Sequence, residues 1–268
     1  MSEDRGTSRG RDLPSAFGGG AVIGTLGGLV GLGGAEFRLP LLIGRFRFAA
    51  LEAVILNKAM SIVVVATALP FRAGTVGFDE IAGHWPVVLN LLAGSLAGAW
   101  SGAGWATRLR SEALHRVIAV LLVGIAAVLV FGHADAGAGP PLAGAAQMAA
   151  GVAAGFGIGV VASLMGVAGG ELLIPTIVLL FGVDVKLAGS LSLAVSLPTI
   201  LMGFARYSRD RSFAVLARNR RFVLVMAAGS IVGTFIGGML LGVVPGGVLL
   251  PALAAILLIS AVKVWRHA

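Results

Sequence analysis

The chain has 268 residues, of which 57% are hydrophobic and only 12% are charged. A soluble domain carries about a quarter charged residues, so this chain lacks the polar groups needed to coat a water-facing globule. The net charge of +8 lies in short segments between apolar runs, where it marks topology and meets anionic lipid rather than nucleic acid, and the absence of cysteine excludes disulfides, thiolate metal sites and cysteine nucleophiles.

In chain order, residues 1–14 (MSEDRGTSRGRDLP) predict a flexible cytoplasmic tail, with no separate cleavable signal peptide before the body. An apolar run follows at 15–32, then the Gly-rich break Gly31–Glu36 and a short apolar piece at 35–44. Three longer runs come next, at 50–71, 84–107 and 112–132, and an external linker at 134–145. The order then repeats: a run at 146–167, the break Gly166–Glu171, a short piece at 170–182, and runs at 187–205, 221–243 and 248–264. About 20 apolar residues in a helix cross the hydrocarbon of a bilayer. The runs are too continuous, and too rich in Leu, Ala and Gly, for the alternating strands of an outer-membrane barrel. The reading is an all-α polytopic membrane protein.

A shift of 135 residues with no gap places Gly31, Gly34, Glu36 and Pro40 on Gly166, Gly169, Glu171 and Pro175. The same shift places Ser61 on Ser196, and Gly94, Ser95, Gly98 and Gly102 on Gly229, Ser230, Gly233 and Gly237. Glycine matches are cheap in such a chain, but glutamate and proline are rare here and match at the same offset. The chain therefore reads as two repeats, 15–133 and 146–268. Each has a Gly-broken hairpin, either re-entrant or made of short tilted helices, plus three spanning helices.

If each hairpin returns to its starting side, three crossings per half make the halves inverted. Sixteen Lys and Arg then fall in cytoplasmic segments against two, Arg72 and Lys186, in external ones, as the positive-inside rule requires. Both termini come out cytoplasmic, in a cell inner membrane. Inverted repeats with broken helices are a recurrent transporter architecture, with the site where the breaks meet.

The breaks are the first candidate site. Gly33, Gly34, Gly169 and Gly170 permit sharp turns, and a short helix starting there directs free N–H groups inward, which suits an anion. Glu36 and Glu171 are costly inside a span. They are either proton carriers coupling transport or caps for their short helices. Asn57 and Ser61 lie four apart on one helix face, and Ser192 and Ser196 are their counterparts; they coordinate substrate or bond a neighbouring helix. Arg38 and Lys58 occur only in the first half, where they neutralise an anionic substrate, pair with Glu36 or Glu52, or snorkel to the surface. Gly94, Gly98 and Gly102 read as packing residues, and Trp85, Trp105 and Trp265 as an interfacial belt.

The stretches GGLVGLGGAEFRLPLL (27–42) and ASLMGVAGGELLIPTI (162–177), each followed by a small helix dotted with polar residues, resemble the motifs of the TauE/SafE sulfite exporter family. Ala35 and Ala168 stand where the family pattern has glycine, and Arg38 adds a charge at an ordinarily apolar position. The resemblance implies export of small sulfur-containing anions, such as sulfite, sulfoacetate and other organosulfonates, driven by ion gradients. The function expected is thus a proton-coupled secondary transporter working by alternating access on a small anionic substrate. Its partners are the lipid bilayer and protons, with no nucleic acid; homo-oligomer formation is left open.

A passive anion channel is the nearest alternative, since paired hairpins also build pores, and a non-transporting membrane receptor is the next. An enzyme is not expected: the chain has no G-x-S-x-G and no H-E-x-x-H motif, and its four histidines sit at run ends. Neither cofactor nor metal is implied.

Overall fold

The computed structural model describes residues 13–48, 50–72, 74, 76–105, 123, 142–208, 211–245, 247, 248, 251, 254, 255, 258 and 262. Every regular element among them is helical. In chain order these are α1 (Leu13–Val30), α2 (Ala35–Pro40), a π-helical turn (Leu41–Arg45), α3 (Ala50–Arg72), α4 (Phe78–Gly83) and α5 (Trp85–Trp105). After the linker come α6 (Gly144–Met165), α7 (Gly170–Phe181), α8 (Val185–Tyr207), a 3-10 turn (Arg211–Ala214), α9 (Val215–Arg218) and α10 (Arg220–Val243). Six helices, namely α1, α3, α5, α6, α8 and α10, are long and apolar enough to cross a membrane. The expected tail up to residue 12, most of the linker, and the fourth runs at 112–132 and 248–264 lie outside the described residues apart from isolated positions. The helix α1 begins at Leu13, two residues before the expected run, with Pro14 in its first turn, where a missing N–H costs nothing.

Both Gly-rich breaks have one construction. Gly31 and Gly34 take left-handed φ values of 92° and 66°, and their counterparts Gly166 and Gly169 take 68° and 81°. At the first break the N–H groups of Gly31 and Leu32 both bond the Gly27 carbonyl, at 2.9 and 3.0 Å. At the second, Val167 N–H bonds the Ala162 carbonyl at 3.1 Å, as does the Gly166 N–H. This is the glycine-terminated helix end in which amide donors double back on one carbonyl. After the break the chain restarts as a short helix. In the first half that helix widens into a π-turn straight after Pro40, whose ring removes an N–H from the α ladder.

Each hairpin returns to its starting end. A Cβ on Gly19, early in α1, would lie 2.7 Å from Leu41 beyond α2. Ala16 and Leu42 share an apolar cluster. In the second half Gln147 Nε2 donates to the Leu180 carbonyl at 2.7 Å, tying the start of α6 to the end of α7. The first arms are full-length, at 18 and 22 residues, or about 27 and 33 Å at 1.5 Å per residue.

Packing exchanges the halves. The helix α1 lies along α10, not beside its own repeat's α5. A Cβ on Gly20, Gly24 or Gly28 would strike the backbone of Met226, Ser230 or Thr234, and one on Gly229, Gly233 or Gly237 would strike Phe17, Ala21 or Thr25. The partners advance together, so α1 and α10 run parallel. The same ladder joins α5 and α6, where Gly94, Gly98 and Gly102 meet Val152, Phe156 and Val160, and Gly155 and Gly159 meet Leu91 and Ser95. Small residues every fourth position let backbones approach and gain dispersion contact that hydrophobicity cannot supply in lipid. The packing role read for Gly94, Gly98 and Gly102 is seen directly. The sequence did not reveal that their partner is the other half's first helix.

At the centre α3 and α8, equivalent under the 135-residue shift, cross antiparallel. Arg72 at the end of α3 bonds Lys186 and Ser190 at the start of α8, and Lys58 near the start of α3 faces Gly203 near the end of α8. Outer faces are apolar and open, including Val22, Leu224, Phe235, Met239 and Val243, as lipid contact requires.

Candidate functional site

The two breaks meet where α3 and α8 cross. A Cβ on Gly33 would lie 2.6 Å from the Cβ of Ala168, its own counterpart in the repeat, and 3.5 Å from Ser61 Oγ. Gly170 faces the Gly31 carbonyl, 3.0 Å from where its Cβ would be. Ser61 and Ser196 are the central residues of the 23-residue helices α3 and α8. Gly33, Ser61, Gly170 and Gly31 are therefore brought together at the junction of the two breaks.

Arg38 is fully buried beside this junction. Its Nη1 lies 3.4 Å from the Asn57 carbonyl, 3.4 Å from Asn57 Oδ1 and 3.2 Å from Ser61 Oγ, and its Nη2 lies 3.3 Å from the Gly33 carbonyl. Asn57 Nδ2 in turn donates to the Ala35 carbonyl at 3.1 Å. Gly33, Arg38, Asn57 and Ser61 thus form one cluster between the break and α3. These guanidinium contacts are long: charge-assisted bonds run at about 2.7–2.9 Å. An oxyanion entering here could form bonds shorter than these contacts.

The second half contributes differently. Ser192 Oγ donates toward the Gly31 carbonyl at 3.0 Å and the Gly189 carbonyl at 2.8 Å, so it ties α8 to the first-half break. Ser196 is buried, and its Oγ has no hydrogen-bond partner among the described residues. Glu171 is 6% exposed in the first turn of α7, behind Gly169 at the N-cap and Gly170, and no hydrogen bond to its carboxylate is found among the described residues. The Glu36 backbone lies in α2; its side chain is outside the described residues. Lys58 does not join the Arg38 cluster. It turns instead toward the end of α8, against Gly203 and the Tyr207 ring. Its suggested partner Glu52 pairs instead with Arg218, at 3.4 Å.

With that geometry in view, comparison with known proteins is decisive at the family level. The family model for the sulfite exporter TauE/SafE matches residues 16–264. The chain belongs to the sulfite exporter TauE/SafE family. Neither a curated protein nor a solved structure gives a significant match. Membership makes this TauE/SafE chain a multi-pass membrane protein of an anion-exporting transporter family, not of an enzyme family.

One residue of the TauE/SafE chain was misread from sequence. Arg72 counts there as an external topology charge, yet it is fully buried. Its Nη1 donates to the carbonyls of Gly28 and Leu29 at 2.8 and 2.7 Å, its Nε to Ser190 Oγ at 3.1 Å, and its Nη2 to the Lys186 carbonyl at 2.7 Å. Because the amides after α1 double back to Gly27, the next two carbonyls are left over, and Arg72 takes both. Its counterpart is Tyr207, whose hydroxyl donates to the carbonyl of Ser163, the counterpart of Gly28, at 3.2 Å. The role is repeated with a different residue type, so matching identities could not expose it.

Proposed function

We propose that the chain is a secondary transporter exporting a small sulfur-containing anion, sulfite or an organosulfonate, coupled to protons, with its site where the two breaks meet. The observation that carries this reading is the buried Arg38 guanidinium, placed beside Gly33, Asn57 and Ser61 where the two breaks meet. It supplies positive charge, while the amides after Gly34 and Gly169 and the Ser196 hydroxyl supply further donors, and Ser192 holds α8 to the first break. TauE/SafE membership supports the substrate class. The antiparallel crossing of α3 and α8 supports halves 15–133 and 146–268 fixed upside down relative to each other. With the charge bias, that orientation supports cytoplasmic termini and an inner-membrane location. Rocking of one repeat against the other would expose the junction alternately to each side.

Glu171 and its counterpart Glu36 are the proposed proton carriers. The Glu171 carboxyl group is buried with no hydrogen bond among the described residues, and intramembrane acids of this kind are functional by default. In proteoliposomes with labelled sulfite, Glu171→Gln is expected to abolish stimulation by an imposed pH gradient while leaving sulfite exchange without a gradient. Undiminished stimulation would reduce Glu171 to a helix-terminal charge stabilising α7.

A further inference from the structure

Where α3 meets the end of α8 lies a second polar group that the break site does not use. Lys58 is 1% exposed, and its Nζ has no hydrogen-bond acceptor among the described residues. Its one described contact is with the Tyr207 ring, 4.9 Å from the centroid. Ser163, on α6 just before the second break, is 2% exposed and its Oγ also has no partner. The two converge on Gly203 of α8: a Cβ built there would stand 2.6 Å from Lys58 Nζ and 3.1 Å from Ser163 Oγ. Any side chain at 203 would fill the space these donors face.

Comparison with the matching place in the other half separates structural work from spare capacity. There the cation, Arg72, is consumed by helix-end carbonyls. Here the neutral Tyr207 hydroxyl takes the Ser163 carbonyl, so the Lys58 ammonium is not needed as a cap. An ammonium has three donors and no acceptor function, and burying it unpaired is strongly unfavourable. An aromatic face satisfies only one side of it. The missing partner is an acceptor-rich anion small enough to reach Nζ and Oγ together.

We infer that Lys58 and Ser163, over the bare backbone of Gly203, form a second station for a small oxyanion, built from α3 of one half and α6 and α8 of the other. Asn57 and Lys58 are neighbours on α3, so their side chains diverge by about 100° around the helix. The anion held at Arg38, Asn57 and Ser61 thus has a second cationic partner on an adjacent flank of the same helix, reached as the halves move. The inference rests on the transport reading above and adds a place in the path.

Binding of labelled sulfite to the purified, detergent-solubilised full chain, read by equilibrium dialysis beside thermal unfolding, tests it. Lys58→Met and Ser163→Ala should each weaken sulfite binding, the former by at least about tenfold, as loss of a hydrogen bond to a charged group does. The melting temperature of Lys58→Met should not fall, because an unpaired buried charge gives way to an apolar chain of similar length. Gly203→Ala, which obstructs the space without touching a donor, should weaken binding too and carries the test if Lys58→Met misfolds. Affinities of all three variants within about twofold of wild type would overturn the second station. Loss of binding in Arg38→Leu with full binding in Lys58→Met would also overturn it, leaving the break site intact. A wild-type chain that neither binds nor moves sulfite would overturn both.

Discussion

Replacing Arg38 with leucine is expected to lower sulfite flux in proteoliposomes by at least about a hundredfold, the loss of two charge-assisted hydrogen bonds to the anion at about 1.5–3 kcal/mol each. Leucine is chosen because Leu173 fills the equivalent position of the second half, so the backbone geometry of the short helix accepts it. Arg38→Lys keeps the charge but loses the planar fork that bonds two oxygens at once; an intermediate rate is expected. Wild-type flux in Arg38→Leu would remove the guanidinium from the site.

Arg72→Met has its largest effect on stability. It strands the carbonyls of Gly28 and Leu29, left over at the end of α1, and an unsatisfied buried polar group costs about 1–3 kcal/mol. Allowing for partial relaxation, a loss of about 3–4 kcal/mol is expected from the same principle, enough to be plain in thermal or denaturant unfolding of the detergent-solubilised chain. Tyr207→Phe removes one neutral bond at 3.2 Å, and about 1 kcal/mol or less is expected, in the range of interhelical hydrogen bonds in membranes. Arg72 also joins α1 to α8, and so one half to the other. Equal stability of the two variants would show that the helix-end carbonyls find other donors.

Much of this architecture was legible because repetition made rare residues informative. Glu36 and Glu171, or Pro40 and Pro175, at one offset located both breaks to the residue, and the left-handed glycines fall there. The short pieces expected at 35–44 and 170–182 appear at 35–45 and 170–181. That each hairpin returns to its starting end was not legible, because hydropathy measures length and not direction; it is read from the approach of Gly19 to Leu41 and the bond of Gln147 to Leu180. Pairing across the halves was hidden for the same reason. A stripe of glycines announces close approach and leaves the partner unnamed. Arg72 was hidden because a cation at the end of an apolar run looks the same whether it points to water or to carbonyls far away in sequence. Arg38 and Lys58 could not be sorted into separate clusters, since the side of α3 each faces depends on which helices flank it.

Counterflow in proteoliposomes addresses the central claim most directly. Vesicles preloaded with unlabelled sulfite are diluted into a trace of labelled sulfite with no pH gradient. A transporter whose junction opens to one side at a time exchanges the two, so label accumulates transiently above its outside concentration and the rate saturates with sulfite. Label that only equilibrates, at a rate rising linearly with concentration, would contradict alternating access at the two breaks and make the paired hairpins the walls of a passive channel.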